Sequence, residues 1–364
     1  MSENILSRYS IEIYTPLGTL IADLTGMASM RALSVARNRV ATCSFDIDFY
    51  TLQSLAQKMN MTIFDLIAIN HNEIRIRRGT RYLAGTQISY FDPQFDEKSN
   101  KVNVRGVGFL DLFASRYIDW NGNTDWVYSS TDAGAIAWDL INHSQSQING
   151  NYGITQGTIQ TSVNRARTYP AYKNIKEALV ELSQVQNGFD FEFAYDKKFN
   201  VYYPSQGIDL TNTVLFNYPG NIKKFQPTRD GTQMFNRAIV RGQGQGTQQL
   251  IETRDDTVTQ AFYYVRESVL SYPDISETAT LDAHGDGQIA VFKNPLEIIQ
   301  LTIDGSKQPF LGSYWIGDRI KIEIDRQLKD YGYIKNHTYK IDAIDVSIDD
   351  NDVEDITLTV TQFS

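Results

Sequence analysis

Four histidines, one cysteine and a few runs of acids and glycines are the residues here that could do chemistry, and their spacing limits which chemistry. His71, His143, His284 and His337 stand far apart, with no H-x-H or H-x-x-x-H pair among them. A zinc site or a histidine-based triad would have to be gathered across the whole fold. No G-x-S-x-G turn is present to raise a serine nucleophile. Cys43 lies in the strand-like run from Val40 to Phe45, where a buried structural thiol is expected rather than a nucleophile. A lone cysteine also excludes an internal disulfide and suits a reducing compartment. No cofactor and no metal are expected.

The glycine run Gly242-Gln243-Gly244-Gln245-Gly246 follows a strand pattern but matches neither dinucleotide nor nucleotide phosphate loops. No amphipathic helix follows to offer its N-terminus to a phosphate, so a turning loop is expected. Two acidic runs invite a calcium reading, which needs Gly at the sixth and Glu at the twelfth position. Counting from Asp350, those positions hold Asp355 and Thr361; counting from Asp282, they hold Gly287 and Lys293. Both runs are read as solvated turns. Carboxylates are plentiful enough that a β-rich carbohydrate-active enzyme stands as an alternative.

Two charged clusters suggest contact instead of catalysis. Arg75, Arg77, Arg78 and Arg81 lie on and just after one strand. They fit a charged sheet edge that discourages stray pairing, and equally an interface with an acidic neighbouring subunit. The second cluster, Asp349, Asp350 and Asp352, falls in a polar connection between two strands. Burying such like charges is costly, so this loop is expected to meet water, a lumen or a basic neighbour such as the Arg75–Arg81 strand.

The elements that carry these residues follow from periodicity. In the first segment, strands are expected at Tyr9–Tyr14, Leu20–Leu24, Arg39–Asp48, Glu73–Arg77, Gln87–Phe91 and Lys101–Gly106. Leu52, Leu55, Ala56 and Met59 form one helical stripe, and Thr62 with Asp65 resembles an N-cap arrangement, although the capping box proper prefers Glu or Gln. In the second segment, Ala133, Ile136, Ala137 and Leu140 make a helix face, as do Ile175, Ala178, Leu179 and Leu182, with Gly188 after its end. Phe189, Phe191, Phe193 and Tyr195 then alternate into a hairpin that returns through Phe199, Val201 and Tyr203. The helix and this aromatic face are expected to share one core.

The third segment resumes at Asn236–Arg241, becomes turn-rich over about 266–296, and ends in three alternating strands. Ile320, Ile322 and Ile324 mark the first, and Ile341–Ile348 the second, whose apolar phase slips between Ala343 and Ile344 as at a β-bulge. Ile356, Leu358 and Val360 mark the third. The expected fold is β-rich α+β, with two β-barrel-like domains separated by an α/β lateral domain. The boundaries fall at 1–108, 109–228 and 229–364, the last with a turn-rich insertion around 255–300.

Composition agrees with a folded chain of two or three cores, at 364 residues and 41% hydrophobic. The net charge of −9 argues against a sequence-reading nucleic-acid binder, which needs a basic face. Residues 301–364 hold 7 basic against 12 acidic side chains, so they supply −5 of it. No apolar run approaches the ~18 residues of a membrane span, and Met1–Ser10 lacks a signal-peptide layout. A soluble protein made in the cytoplasm is expected.

Residues 51–85 are similar to LysM glycan-binding modules, with two short helices between strands. The usual Gly-Asp before the first helix is replaced by Phe49-Tyr50, and the following strand is longer and more basic. A LysM-like peptidoglycan-binding protein is therefore kept as an alternative. The whole-chain order resembles something else. Asn38-Arg39-Val40 through Phe45-Asp46-Ile47, the charged run Arg75–Gly85, Val104-Arg105-Gly106 leading into Leu110–Tyr117, the helix and hairpin of Tyr172–Tyr203, and Gly317-Asp318-Arg319-Ile320 occur in the order seen in tail-hub (tail-tip) proteins of tailed bacteriophages. That group is similar to the baseplate hub of contractile phages and includes the Gp37-like minor tail proteins of siphophages.

The resemblance implies a structural virion protein and no enzyme. It implies a homotrimer whose two barrel-like domains per chain make a pseudo-sixfold ring, matching the sixfold tail tube to a threefold tip. The implied partners are further copies of itself, the tail-tube or distal tail protein, the tape-measure protein, tail-tip or fibre proteins, and DNA only in passage. The implied location is the virion tail tip, assembled in the host cytoplasm.

Overall fold

The computed structural model describes residues 9–324 and 338–363, apart from positions 98, 119–121, 123, 186, 350 and 352. Period-2 alternation builds most of it. The first 108 residues give β1 (Tyr9–Tyr14), β2 (Leu20–Asp23), β3 (Ala28–Ala36), β4 (Thr42–Asp48), β5 (Glu73–Arg78), β6 (Arg81–Phe95) and β7 (Asn100–Gly108). The middle gives β8 (Tyr117–Ile118), β9 (Trp126–Asp132), β10 (Thr155–Gln156), β11 (Asn164–Tyr169), β12 (Lys173–Asn174), β13 (Asp190–Phe193) and β14 (Lys198–Tyr202). The remainder gives β15 (Leu215–Tyr218), β16 (Ile222–Asp230), β17 (Arg237–Arg241), β18 (Ile251–Asp255), β19 (Glu267–Ser271), β20 (Leu296–Asp304), β21 (Arg319–Ile324), β22 (Thr338–Ile348) and β23 (Glu354–Phe363).

Strands from both ends of the chain lie in one 13-stranded sheet, ordered β16-β20-β23-β22-β3-β4-β7-β6-β5-β1-β2, with β21 on β22 and β15 on β21. The two β-rich segments meet where β22 pairs with β3. An apolar row crosses that junction strand by strand, from Ile303 to Ile356, Val346, Leu33 and Cys43. Buried residues from Tyr9 to Val360 accordingly form one core. β3, which makes the junction, is absent from the sequence expectations, and the strand expected at Arg39–Asp48 begins only at Thr42.

The middle segment has a second core. Ile175, Leu179 and Leu182 of the helix Ile175–Ser183 pack with Phe189, Phe191, Phe199 and Val201, and Phe193 lies against them. Local rules hold here. Asp132 caps the helix Ala133–Ser146 through the Gly134 and Ala135 amides, and Asn174 caps Ile175–Ser183 through Glu177. Thr62 and Asp65 form the reciprocal capping box at Ile63–Leu66.

A third core, with Phe235, Ala238, Val240, Ile275, Leu281 and Ile289, belongs to a unit inserted between β16 and β20. Its sheet, β18-β17-β19, shares no strand with the large one. The stretch expected to be turn-rich contains the helix Thr278–Phe292, and Asp282–Gly287 lies inside it instead of in a solvated turn. Gly285 is needed there because a Cβ would sit 2.9 Å from Val240 Cγ2 and 2.6 Å from Arg254 Cγ. The helix thus comes closer to the sheet than any side chain at that position allows.

The bulge in β22 is present, but at Asp342, between Ile341 and Ala343 rather than one position later. The extra residue aims its carboxylate at Arg37 (2.7 Å) and at the Thr361 hydroxyl (2.6 Å).

Candidate functional site

β5 is internal, paired to β1 on one side and β6 on the other, so the charged-edge reading of its arginines fails. Arg75 is buried, its guanidinium 3.9 Å from the Tyr14 ring centre and 3.8 Å from Glu73. Arg78 is buried too, and its Nη2 meets Glu354 Oε2 at 2.9 Å. The Tyr9 hydroxyl donates to the other oxygen of Glu354. Arg77 is half-exposed, 3.3 Å from Ser10 Oγ and 3.8 Å from Glu12. Arg81 is exposed, donates to the Gly312 carbonyl at 3.0 Å and lies over Trp315.

The acidic run therefore touches the arginine strand within a single chain, through Glu354 at the start of β23. Asp349 is exposed, and its carboxylate accepts from the Val353 and Asn351 amides at 2.9 Å each. Those bonds, Val353 first, hold it below the usual carboxylate range. Asp350 and Asp352 lie outside the described residues. Asp355 pairs with Lys223 at 2.5 Å.

Sequence reasoning missed the seam between the large sheet and the middle unit, where buried charges from distant segments converge. Lys197, 4% exposed, pairs with Glu73 and donates to the Pro16 and Tyr152 carbonyls at 2.5 and 2.6 Å. Burial still pushes the Glu73 carboxyl up, against the pull of Lys197 and Arg75. At the other end, Asp190 receives Lys340 at 2.8 Å, Arg37 at 3.2 Å and the Gln206 amide at 2.9 Å. Burial lowers the Lys340 amine, with Asp190 opposing it.

Between these points the Tyr82 and Tyr195 rings stack at 3.9 Å. Gly85 is obligatory beside them, because a Cβ would lie 2.3 Å from the Tyr195 carbonyl. The ion pairs Lys197–Glu73 and Asp190–Lys340 each join two different segments, so spacing alone gave no signal. Geometrically the seam is a buried, charge-paired junction between the large sheet and the middle unit.

Catalytic arrangements fare differently. Asp46 is drawn into bonds with Arg31 (2.5 Å), Lys101 (2.7 Å) and Asn103 (2.8 Å). Burial would raise its carboxyl, but Lys101, Asn103 and Arg31 outweigh that and hold it low. Among the described residues no group of three His, Cys, Asp or Glu side chains converges to hold a metal ion. No helix among them is long and apolar enough to cross a membrane. Cys43 is buried against Thr86, and burial pushes its thiol up to about 11, away from nucleophilic use.

Solved structures resemble this architecture along nearly its whole length. A tail protein from Neisseria meningitidis MC58 superposes with a TM-score of 0.64 at 11% identity, covering 97% of this chain and 96% of that one. The 43 kDa tail protein of prophage MuSo2 from Shewanella oneidensis gives 0.64 at 13% identity, over 97% and 98%. The Escherichia coli c3393 protein gives 0.50 at 11% identity, over 93% and 74%. That protein is described as a type VI secretion component with structural similarity to the T4 phage tail proteins gp27 and gp5. No family model and no curated protein sequence matches the chain. At these identities the shared property is the fold. It is a β-rich fold shared with phage tail proteins, the group that the order of segments resembles.

Proposed function

We propose, with that fold as premise, that this chain is a structural hub of a phage tail, a ring that joins the tail tube to the tail tip. The observation that carries the reading is a polar row on the large sheet. Lys224, Thr302, Thr357, Asp345, Ser34 and Thr42 stand directly opposite one another across β16, β20, β23, β22, β3 and β4. The row runs unbroken from one β-rich segment into the other, on the face opposite the core. Four short hydroxyls with one lysine and one carboxylate, whose charges cancel, offer little grip to a sliding polymer of either sign. A surface of that kind suits the wall of a channel that passes tape-measure protein and then DNA.

In this reading the two β-rich halves are the barrel-like domains, the middle unit is the lateral domain, and three copies make a pseudo-sixfold ring in the virion tail tip. The seam charges hold the lateral unit at a fixed angle to the ring. The LysM alternative is weakened because the strands flanking its two helices, β4 and β5, pair with other strands and not with each other. Mass measurement by light scattering, with cross-linking, tests the proposal on the full chain with and without the tail-tube protein. Three copies are expected. A strict monomer in both conditions would contradict it.

A further inference from the structure

We infer that the inserted unit, residues 235–292, is a hinged flap latched shut by the contact between Arg167 and His284 and released by acid. The hinge is visible in the connections. The chain leaves the large sheet after Asp230 and returns at Leu296, and these two residues are register partners in the β16–β20 ladder. Both crossings thus lie side by side, tied again where the Phe235 amide donates to the Phe292 carbonyl at 3.1 Å. The unit carries its own three-stranded sheet and its own core. Two adjacent crossings beside an independent core are the layout of a body able to rotate as a whole.

The latch lies away from the hinge. His284, 2% exposed, projects from the helix Thr278–Phe292, and its Nε2 lies 3.2 Å from Nη2 of Arg167 on β11 of the middle unit. Arginine keeps its proton and can only donate. The imidazole must therefore accept through Nε2 and carry its single proton on Nδ1. Further along the same helix the two bodies separate. A cleft of about 850 Å³ opens there, lined by Val180, Ser183 and Leu110 on one side and by Gly287, Gln288 and Val291 on the other. The buried Arg167–His284 contact stands beside an unfilled cleft, which makes a weak closure.

The charged surroundings set its response to pH. Arg167 and Arg165 face His284 from β11, the Tyr272 ring lies 4.1 Å away within the flap, and Asp282 and Asp286 on its own helix pair with Arg254. Burial first, then the two arginines, push the imidazole down to about 2 while the flap is closed. In the open form it returns to its ordinary value near 6.5. The closed state therefore binds fewer protons than the open state between those limits, and falling pH favours opening about tenfold per unit below 6.5.

Two other groups at this seam act the opposite way. Burial holds the carboxyls of Glu181 and Asp274 above their ordinary values, with Lys173 opposing both. Their protonation favours the closed form, so they blunt the response at the acid end of the range. The histidine is the only one of the three that drives opening.

Hydrogen exchange on the full chain tests this, with rates corrected for intrinsic pH dependence. Between pH 7 and 4.5 the peptides of Thr278–Phe292 and of Asn164–Tyr169 should lose protection by up to about a hundredfold. The ladder of β16 and β20 should stay protected. His284→Gln keeps an acceptor for Arg167 but cannot titrate, and should flatten the response. Equal pH dependence in both proteins, or none in the natural chain, would overturn the inference. Ring-nitrogen NMR gives a readout independent of that variant. It should find His284 neutral with the proton on Nδ1 down to pH 5 in the closed form, and a midpoint near 6.5 with the seam still protected would refute the latch.

Discussion

Replacing Glu354 with alanine should lower the stability of the fold by about 3–5 kcal/mol, the usual cost of removing one partner from a buried ion pair. Glu354 is 3% exposed and is held by Arg78 from a strand 276 positions earlier and by the Tyr9 hydroxyl. Without the carboxylate, a buried guanidinium and a buried phenol lose their shared acceptor. Both sit in the core common to the two β-rich segments, so the loss should register as reduced cooperativity of the whole sheet. Urea unfolding followed by tryptophan fluorescence measures it. A paired change, Arg78→Met with Glu354→Leu, should recover most of the loss, because hydrophobic replacement of a buried pair is often neutral or better. A single-variant cost below about 1 kcal/mol would mean that water reaches the pair.

Phe191→Ala should cost a similar amount, about 3–5 kcal/mol, through the cavity left behind in the middle unit. The ring is 4% exposed, with the Phe199 ring centre at 6.0 Å and those of Phe189 and Phe193 at 6.4 Å each. Several aromatic faces would lose their contact at once, and the helix Ile175–Ser183 would lose part of its floor. Differential calorimetry should find the transition of the middle unit lowered. A change under about 1 kcal/mol would mean that the face is solvent-accessible in the folded protein.

Local chemistry was legible in the sequence wherever one segment carried the whole signal. The Thr62–Asp65 cap, the apolar stripes of the helices Ala133–Ser146 and Ile175–Ser183, the aromatic hairpin of β13 and β14, and the final hairpin were all readable in this way. What escaped depended on partners far away in the chain. β3 has a bulge between Met30 and Ala32 that breaks its alternation, and its role appears only when β22 arrives some 300 residues later. The arginines of β5 look like an edge until Tyr9–Tyr14 and Arg81–Phe95 close over both sides. The helix Thr278–Phe292 contains Gly285 and Gly287 and has no side-chain N-cap, so propensity argued for turns. Packing of Leu281 and Ile289 into the third core prevailed over that preference.

The seam charges were illegible for the same reason. Lys197 meets Glu73, and Asp190 meets Lys340, across more than a hundred residues. The order of segments along the chain carried the fold, and no short motif did.

Electron-microscopy class averages of the purified chain, viewed down the ring axis with the tail-tube protein present, test the hub reading most directly. The account predicts a closed ring of three copies with six similar inner densities around an open channel, and three lateral densities outside. Particles without a channel, or a ring whose inner wall does not repeat twice per copy, would contradict it.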